Sequence, residues 1–148
     1  MKQLKEIFSA CNKSIQSAWA VFSGKTDIRW LRVLKPGYRH CFAILNDGQR
    51  WMVVDPAASY MDIQIYHHIS AEFDLPRWLS GHGYHVVPAT IDKEHKKAAP
   101  CMFFTCVEAI KRVLGVHKRF ILTPWQLYKF LEQEKQKEKL KGELLWGS

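Results

Sequence analysis

Long apolar runs are missing from this chain of 148 residues. The longest near its start, residues 18–22, falls far short of the roughly 20 residues that a membrane-spanning helix needs. The same stretch is too short for the core of a secretory signal, and polar residues interrupt the segment after Lys2 and Lys5, so folding in the cytosol is expected. Acidic residues are scarce beside basic ones, 14 Asp and Glu against 22 Lys and Arg, and the formal charge of +8 favours acidic partners. Those partners are nucleic acid, anionic polymers or membrane surfaces; no recognised nucleic-acid motif accompanies the charge, which leaves nonspecific nucleic-acid binding, with affinity falling steeply with salt, as a third reading. None of the four cysteines (Cys11, Cys41, Cys101, Cys106) makes a CxxC pair, and there is no HExxH. Free thiols are therefore the expectation, and His67, His68, His82 and His85 carry no zinc-ligand spacing. No internal repeat occurs, which excludes a solenoid.

What is present is a core-forming composition. Hydrophobic residues make up 47% and charged ones 24%, enough burial to offset ordering entropy in a single domain spanning 1–148. In residues 2–22, Leu4, Ile7, Phe8, Cys11, Ile15, Ala18, Trp19 and Phe22 recur at helical spacing, predicting an amphipathic N-terminal helix within 1–24. Residues 28–34 read as a strand closed by Lys35-Pro36-Gly37. Residues 40–45 and 50–54 form a hairpin signal about Asn46-Asp47-Gly48-Gln49, and Met61, Ile63 and Ile65 alternate with polar residues as a third strand. A short helix over 71–79, strands over 84–89 and 120–122, and a charged connection over 92–97 follow the same reading. Thr105 and Glu108 have capping-box spacing at the start of a helix stopped by Gly115, and Thr123-Pro124 opens another that runs into the charged extension 132–148. Trp30, Trp51, Trp78 and Trp125 either line a groove, stack bases or fill the core.

The hairpin carries the chemistry. If Asp47-Gly48 is a two-residue turn, Leu45 faces Arg50, Ala43 faces Met52 and His40 faces Asp55. A carboxylate opposite an imidazole fixes its tautomer and stabilises its charged form. Phe42 and Ile44 share the face of His40, and the helix of Cys106 is the expected cover for that face, bringing its first turn to the histidine. There the helix dipole and outward N–H groups favour a thiolate. Thiolate, base and orienting acid are the parts of acyl transfer through a thioester. Cys101, five residues earlier, is a weaker rival because it precedes the cap, whereas Cys41 and Cys11 read as core.

The segment Gly37-Tyr38-Arg39-His40-Cys41-Phe42-Ala43-Ile44, the Val54-Asp55 strand end and Thr105-Cys106-Val107-Glu108-Ala109-Ile110 together resemble a circularly permuted papain-like domain. That superfamily includes the NlpC/P60-like hydrolases and the lecithin-retinol-acyltransferase-like enzymes, and its permuted members place histidine before cysteine, as here. The resemblance covers about residues 28–131 and implies Cys106 as nucleophile, His40 as base and Asp55 as orienting residue, with no cofactor or metal. It implies an α+β fold, an antiparallel sheet of about four to six strands carrying the nucleophile helix and flanked by N- and C-terminal helices. A peptidase or amidase acting on peptide or cell-wall peptide bonds leads. The chain departs from the better-known members in lacking Asp before the nucleophile, where Thr105 stands. Small proteins of this look also resemble bacteriophage products. A bacterial or phage-infected cytoplasm is therefore the implied setting, and a non-catalytic virion or host-interaction protein is the alternative.

Overall fold

The computed structural model describes residue 15 and residues 17–25, 29–57, 60–91 and 105–146. Cys11, Cys101, the charged connection 92–97 and most of the expected N-terminal helix lie outside the described residues. The fold is α+β, a five-stranded antiparallel sheet with three helices packed on it. The strands are β1 (Ser17–Ser23), β2 (His40–Asn46), β3 (Trp51–Pro56), β4 (Met61–Tyr66) and β5 (His85–Ala89), in the spatial order β4-β3-β2-β1-β5. The helices are α1 (Leu75–Gly81), α2 (Cys106–Leu114) and α3 (Pro124–Trp146). Among the described residues, no helix is long and apolar enough to cross a membrane.

Residues 17–23, which helical spacing assigns to an amphipathic helix, are instead the strand β1, paired on both edges with β2 and β5. The physical reason is burial on two faces. Ala18, Ala20 and Phe22 enter one core while Val21 enters the other with Trp19 packed beside it, so the strand is a continuous apolar run without alternation. Residues 29–33, expected as a strand, form one 3-10 segment (Arg29–Val33) with no sheet partner. Residues 120–122 form no strand; Phe120 and Leu122 are exposed.

The sheet separates two cores. On one face Phe22, Cys41, Ala43, Leu45, Val54 and Val87 meet Val107, Ile110 and Leu114 of α2 and Leu127 and Leu131 of α3. On the other, Val21, Ile44 and Trp51 meet Leu75 and Leu79 of α1, with Phe42 and Val53 packed beside them. The helix carrying Cys106 thus covers the face of Cys41, opposite to the one expected; α1 covers Phe42 and Ile44. α1 begins where it does because Asp74 caps it and Pro76 fits its first turn. It has just enough length for Leu75 and Leu79 to present one buried stripe.

Candidate active site

Hairpin, helix start and strand end converge at one end of the sheet. The turn between β2 and β3 is wider than a two-residue Asp-Gly turn. The Asp47 carboxylate accepts from the backbone N–H groups of Gln49 and Arg50 at 2.8 and 2.7 Å, and Asn46 Oδ1 accepts from Gly48 at 2.7 Å. Asn46 therefore pairs with Trp51, Leu45 with Met52 and Ala43 with Val54, two residues displaced from the expected register. A shift of two keeps every side chain on its face, because strand periodicity is two. His40 and Asp55 become diagonal rather than direct neighbours, a separation of about 7–8 Å between backbones that long side chains span. They do meet: His40 Nε2 lies 2.6 Å from Asp55 Oδ1.

A glycine crossing sets the approach to His40. A side-chain carbon at Gly24, just after β1, would stand 3.1 Å from the backbone of Gly37. Gly37 itself has φ +85°, in the left-handed region that favours glycine. Its close passage, with Arg39 N–H donating to the Ser23 carbonyl at 2.8 Å, feeds the chain into β2 at His40.

Cys106 is the first residue of α2. Thr105 caps the helix, its hydroxyl accepting from Glu108 N–H at 3.2 Å. Only half of the expected capping box forms. The Glu108 carboxylate turns to Lys111 Nζ at 2.8 Å and Arg112 Nε at 3.2 Å, with Glu108 and Lys111 both buried. Gly115, at φ +75°, ends the helix.

At the helix start, Cys106 lies beside Cys41 and His40, both of which act on its thiol. His40 is the first residue of β2, and from that end position its imidazole touches both Asp55 and Cys106. With Nε2 directed at Asp55, Nδ1 is left for the thiol. The Cys106 thiol is lowered to about 5, first by the hydrogen bond from Cys41, against desolvation, and then by His40. Desolvation pulls the imidazole down, but hydrogen bonds and charges of Asp55 and Cys106 outweigh it and raise His40 to about 9. Between these values the pair rests as thiolate and imidazolium.

The structure brings together Cys106, His40 and Asp55. Cys41, whose backbone N–H also bonds to Cys106, is the member that sequence reasoning placed in the core alone. Strand alternation puts it on the α2 face, so the signal becomes legible once the helix is assigned to that face. The other histidines are dispersed. His82 bonds to the Trp78 carbonyl at 2.7 Å, and His85 stacks on Tyr38. Trp51 is buried and donates to the Ser70 carbonyl, Trp125 packs under Lys35, and Trp78 is exposed. The side chain of Trp30 lies outside the described residues. Compared with known proteins, the chain matches no family model, no curated protein and no solved structure.

Proposed function

We propose that this protein is a thiol-dependent hydrolase of amide or ester bonds, working through a thioester on Cys106. The observation that carries the reading is the chain of contacts from Asp55 Oδ1 through His40, 2.6 Å away, to the lowered Cys106 thiol at a helix start. In this reading the thiolate attacks the carbonyl carbon of the substrate. The outward N–H groups of the first turn of α2 then take the negative charge that forms on the carbonyl oxygen. The His40 imidazolium gives its proton to the departing amine or alcohol, leaving an acyl group on sulfur. His40, now neutral, takes a proton from water, the hydroxide adds to the thioester carbonyl carbon, the C–S bond breaks to release the acid, and the thiolate–imidazolium pair is restored. Asp55 holds the imidazole in the tautomer this cycle needs.

The resemblance to permuted papain-like enzymes adds the order of histidine before cysteine and points to peptide or cell-wall peptide bonds as substrate. The setting that follows is a bacterial or phage-infected cytoplasm, and the positive charge supports an acidic partner. The test is an activated ester, p-nitrophenyl acetate, given to the folded protein and followed by peptide mass mapping. An acyl group on Cys106 that turns over, and is absent in Cys106→Ala, is the expected result. A folded protein that never acylates at Cys106 would leave the non-catalytic binding role in its place.

A further inference from the structure

The lowered thiol at the start of α2 has a second sulfur beside it. Cys41 is fully buried, while Cys106 is partly exposed, and neither is in a disulfide. β2 and α2 bring them together on one face of the sheet, Cys106 packing against the buried cluster that contains Cys41, and each side chain perturbs the other's thiol. This is an asymmetric pair, one residue partly exposed and the other fully buried.

We infer that Cys41 and Cys106 form a reversible disulfide when the protein meets a hydroperoxide, Cys106 attacking the peroxide and Cys41 resolving the product, and that this bond disables the nucleophile. The switching role rests on the hydrolase reading of Cys106; the disulfide chemistry does not. In the first step the Cys106 thiolate attacks one peroxide oxygen, the O–O bond breaks, and the sulfur becomes a sulfenic acid. The departing alkoxide or hydroxide takes the proton of the His40 imidazolium and leaves as alcohol or water. In the second step neutral His40 takes the Cys41 proton. The Cys41 sulfur attacks Cys106, an S–S bond replaces the S–O bond, and the released hydroxide recovers the proton from His40 as water. The two sulfurs lose two electrons and the peroxide gains them.

The order of events follows from the surroundings. Burial and the Cys106 charge hold the Cys41 thiol well above its ordinary value, so it stays protonated while Cys106 is a thiolate. Oxidation to a neutral sulfenic acid removes that charge, and Cys41 becomes the better nucleophile only after Cys106 has reacted.

The experiment exposes the whole protein to a small excess of hydrogen peroxide, blocks remaining thiols with N-ethylmaleimide, and maps peptides without reductant. The expected product is a peptide joining Cys41 to Cys106. Iodoacetamide labelling of Cys106 should fall by about tenfold or more and return with dithiothreitol. In Cys41→Ser and Cys41→Ala, Cys106 should run on to sulfinic acid, and labelling should not return. The wild-type linkage is read without any variant, so a folding defect at the buried position does not blunt the test. Accumulation of sulfinic acid in the wild type without the linked peptide overturns the inference, as does a link from Cys106 to Cys11 or Cys101. Acylation of reduced Cys106 without the link sinks only the disulfide; the link without acylation sinks only the hydrolase and its switching.

Discussion

At the scale of single residues, a carboxylate, an imidazole and a thiol share one proton economy. The Cys106 thiolate exists above about 5 and the His40 imidazolium below about 9, so the reactive pair is present between those values and disappears on either side. Iodoacetamide labelling of Cys106, followed site by site against pH, should therefore rise through about 5. In His40→Ala the midpoint should move up toward that of an ordinary thiol, because a charge and a hydrogen bond favouring the thiolate are gone. An inert Cys106 in folded protein would remove the nucleophile assignment. Ester hydrolysis should be bell-shaped over the same window. Asp55→Asn should pull in the basic limb, since the carboxylate's hydrogen bond and charge both raise His40, and leave the acidic limb nearly in place. The expected loss in kcat/KM lies within the roughly 10²–10⁴-fold that a positioned acid–base group contributes. An unmoved basic limb would show that Asp55 does not act through His40. The pairing of His40 with Asp55 was legible in the sequence because the hairpin fixes which side chains share a face, and a register error of two residues does not change faces; Cys106 was legible as a thiol in the first turn of a capped helix, although the face that helix covers was not. The partnership of Cys41 with Cys106 was not legible, because it depends on which face the helix covers, and alternation along a strand cannot decide that.

At the scale of elements, α2 combines a functional start with a costly middle. Glu108 and Lys111 are both buried on the helix, and their ion pair at 2.8 Å is joined by Arg112 at 3.2 Å from the other carboxylate oxygen. Removing either partner is not equivalent. Glu108→Gln leaves the Lys111 ammonium buried without its anion and should cost about 3–5 kcal/mol. Lys111→Met keeps the length of the side chain and leaves Glu108 with Arg112, so its cost should be clearly smaller. Urea unfolding of the two variants checks this, and equal losses would mean that the pair is not what holds these charges in place. The sequence had shown Thr105 as cap and Gly115 as stop, both local signals, but suggested that Glu108 reaches back to the cap. Two cations within one turn, at positions three and four residues on, outcompete a single backbone N–H for the carboxylate. The misread elements share a cause as well. β1 is buried on both faces, so its apolar run has no period by which a strand can be told from a buried helix. In Arg29–Val33, β-forming side chains occur without a neighbouring strand to pair with.

At the scale of the whole molecule, β1 is the member on which both cores depend. It lies between β2 and β5, sends Ala18, Ala20 and Phe22 to the α2–α3 side, and sends Val21 to the α1 side. Neither core can open without uncovering it. β4, at the edge, is paired only with β3, and Met61, Ile63 and Ile65 are exposed along it. Backbone amides open with free energies set by local burial and pairing, so exchange should divide along this line. Amides of 19–22 should be the slowest in the chain and should exchange only through global unfolding, whereas those of β4 should exchange earlier through local opening at the edge. Hydrogen-exchange mass spectrometry across a denaturant series gives the test. Amides of β1 that exchange as fast as those of β4, or with a shallower denaturant dependence than global unfolding, would mean that the two faces come apart independently. In that case the site, built from β2, β3 and α2, would owe its geometry to one core alone. If β1 exchanges last, the site that joins a strand end to a helix start is held by the most stable part of the fold. The arrangement of Asp55, His40, Cys106 and Cys41 would then persist through every opening short of global unfolding.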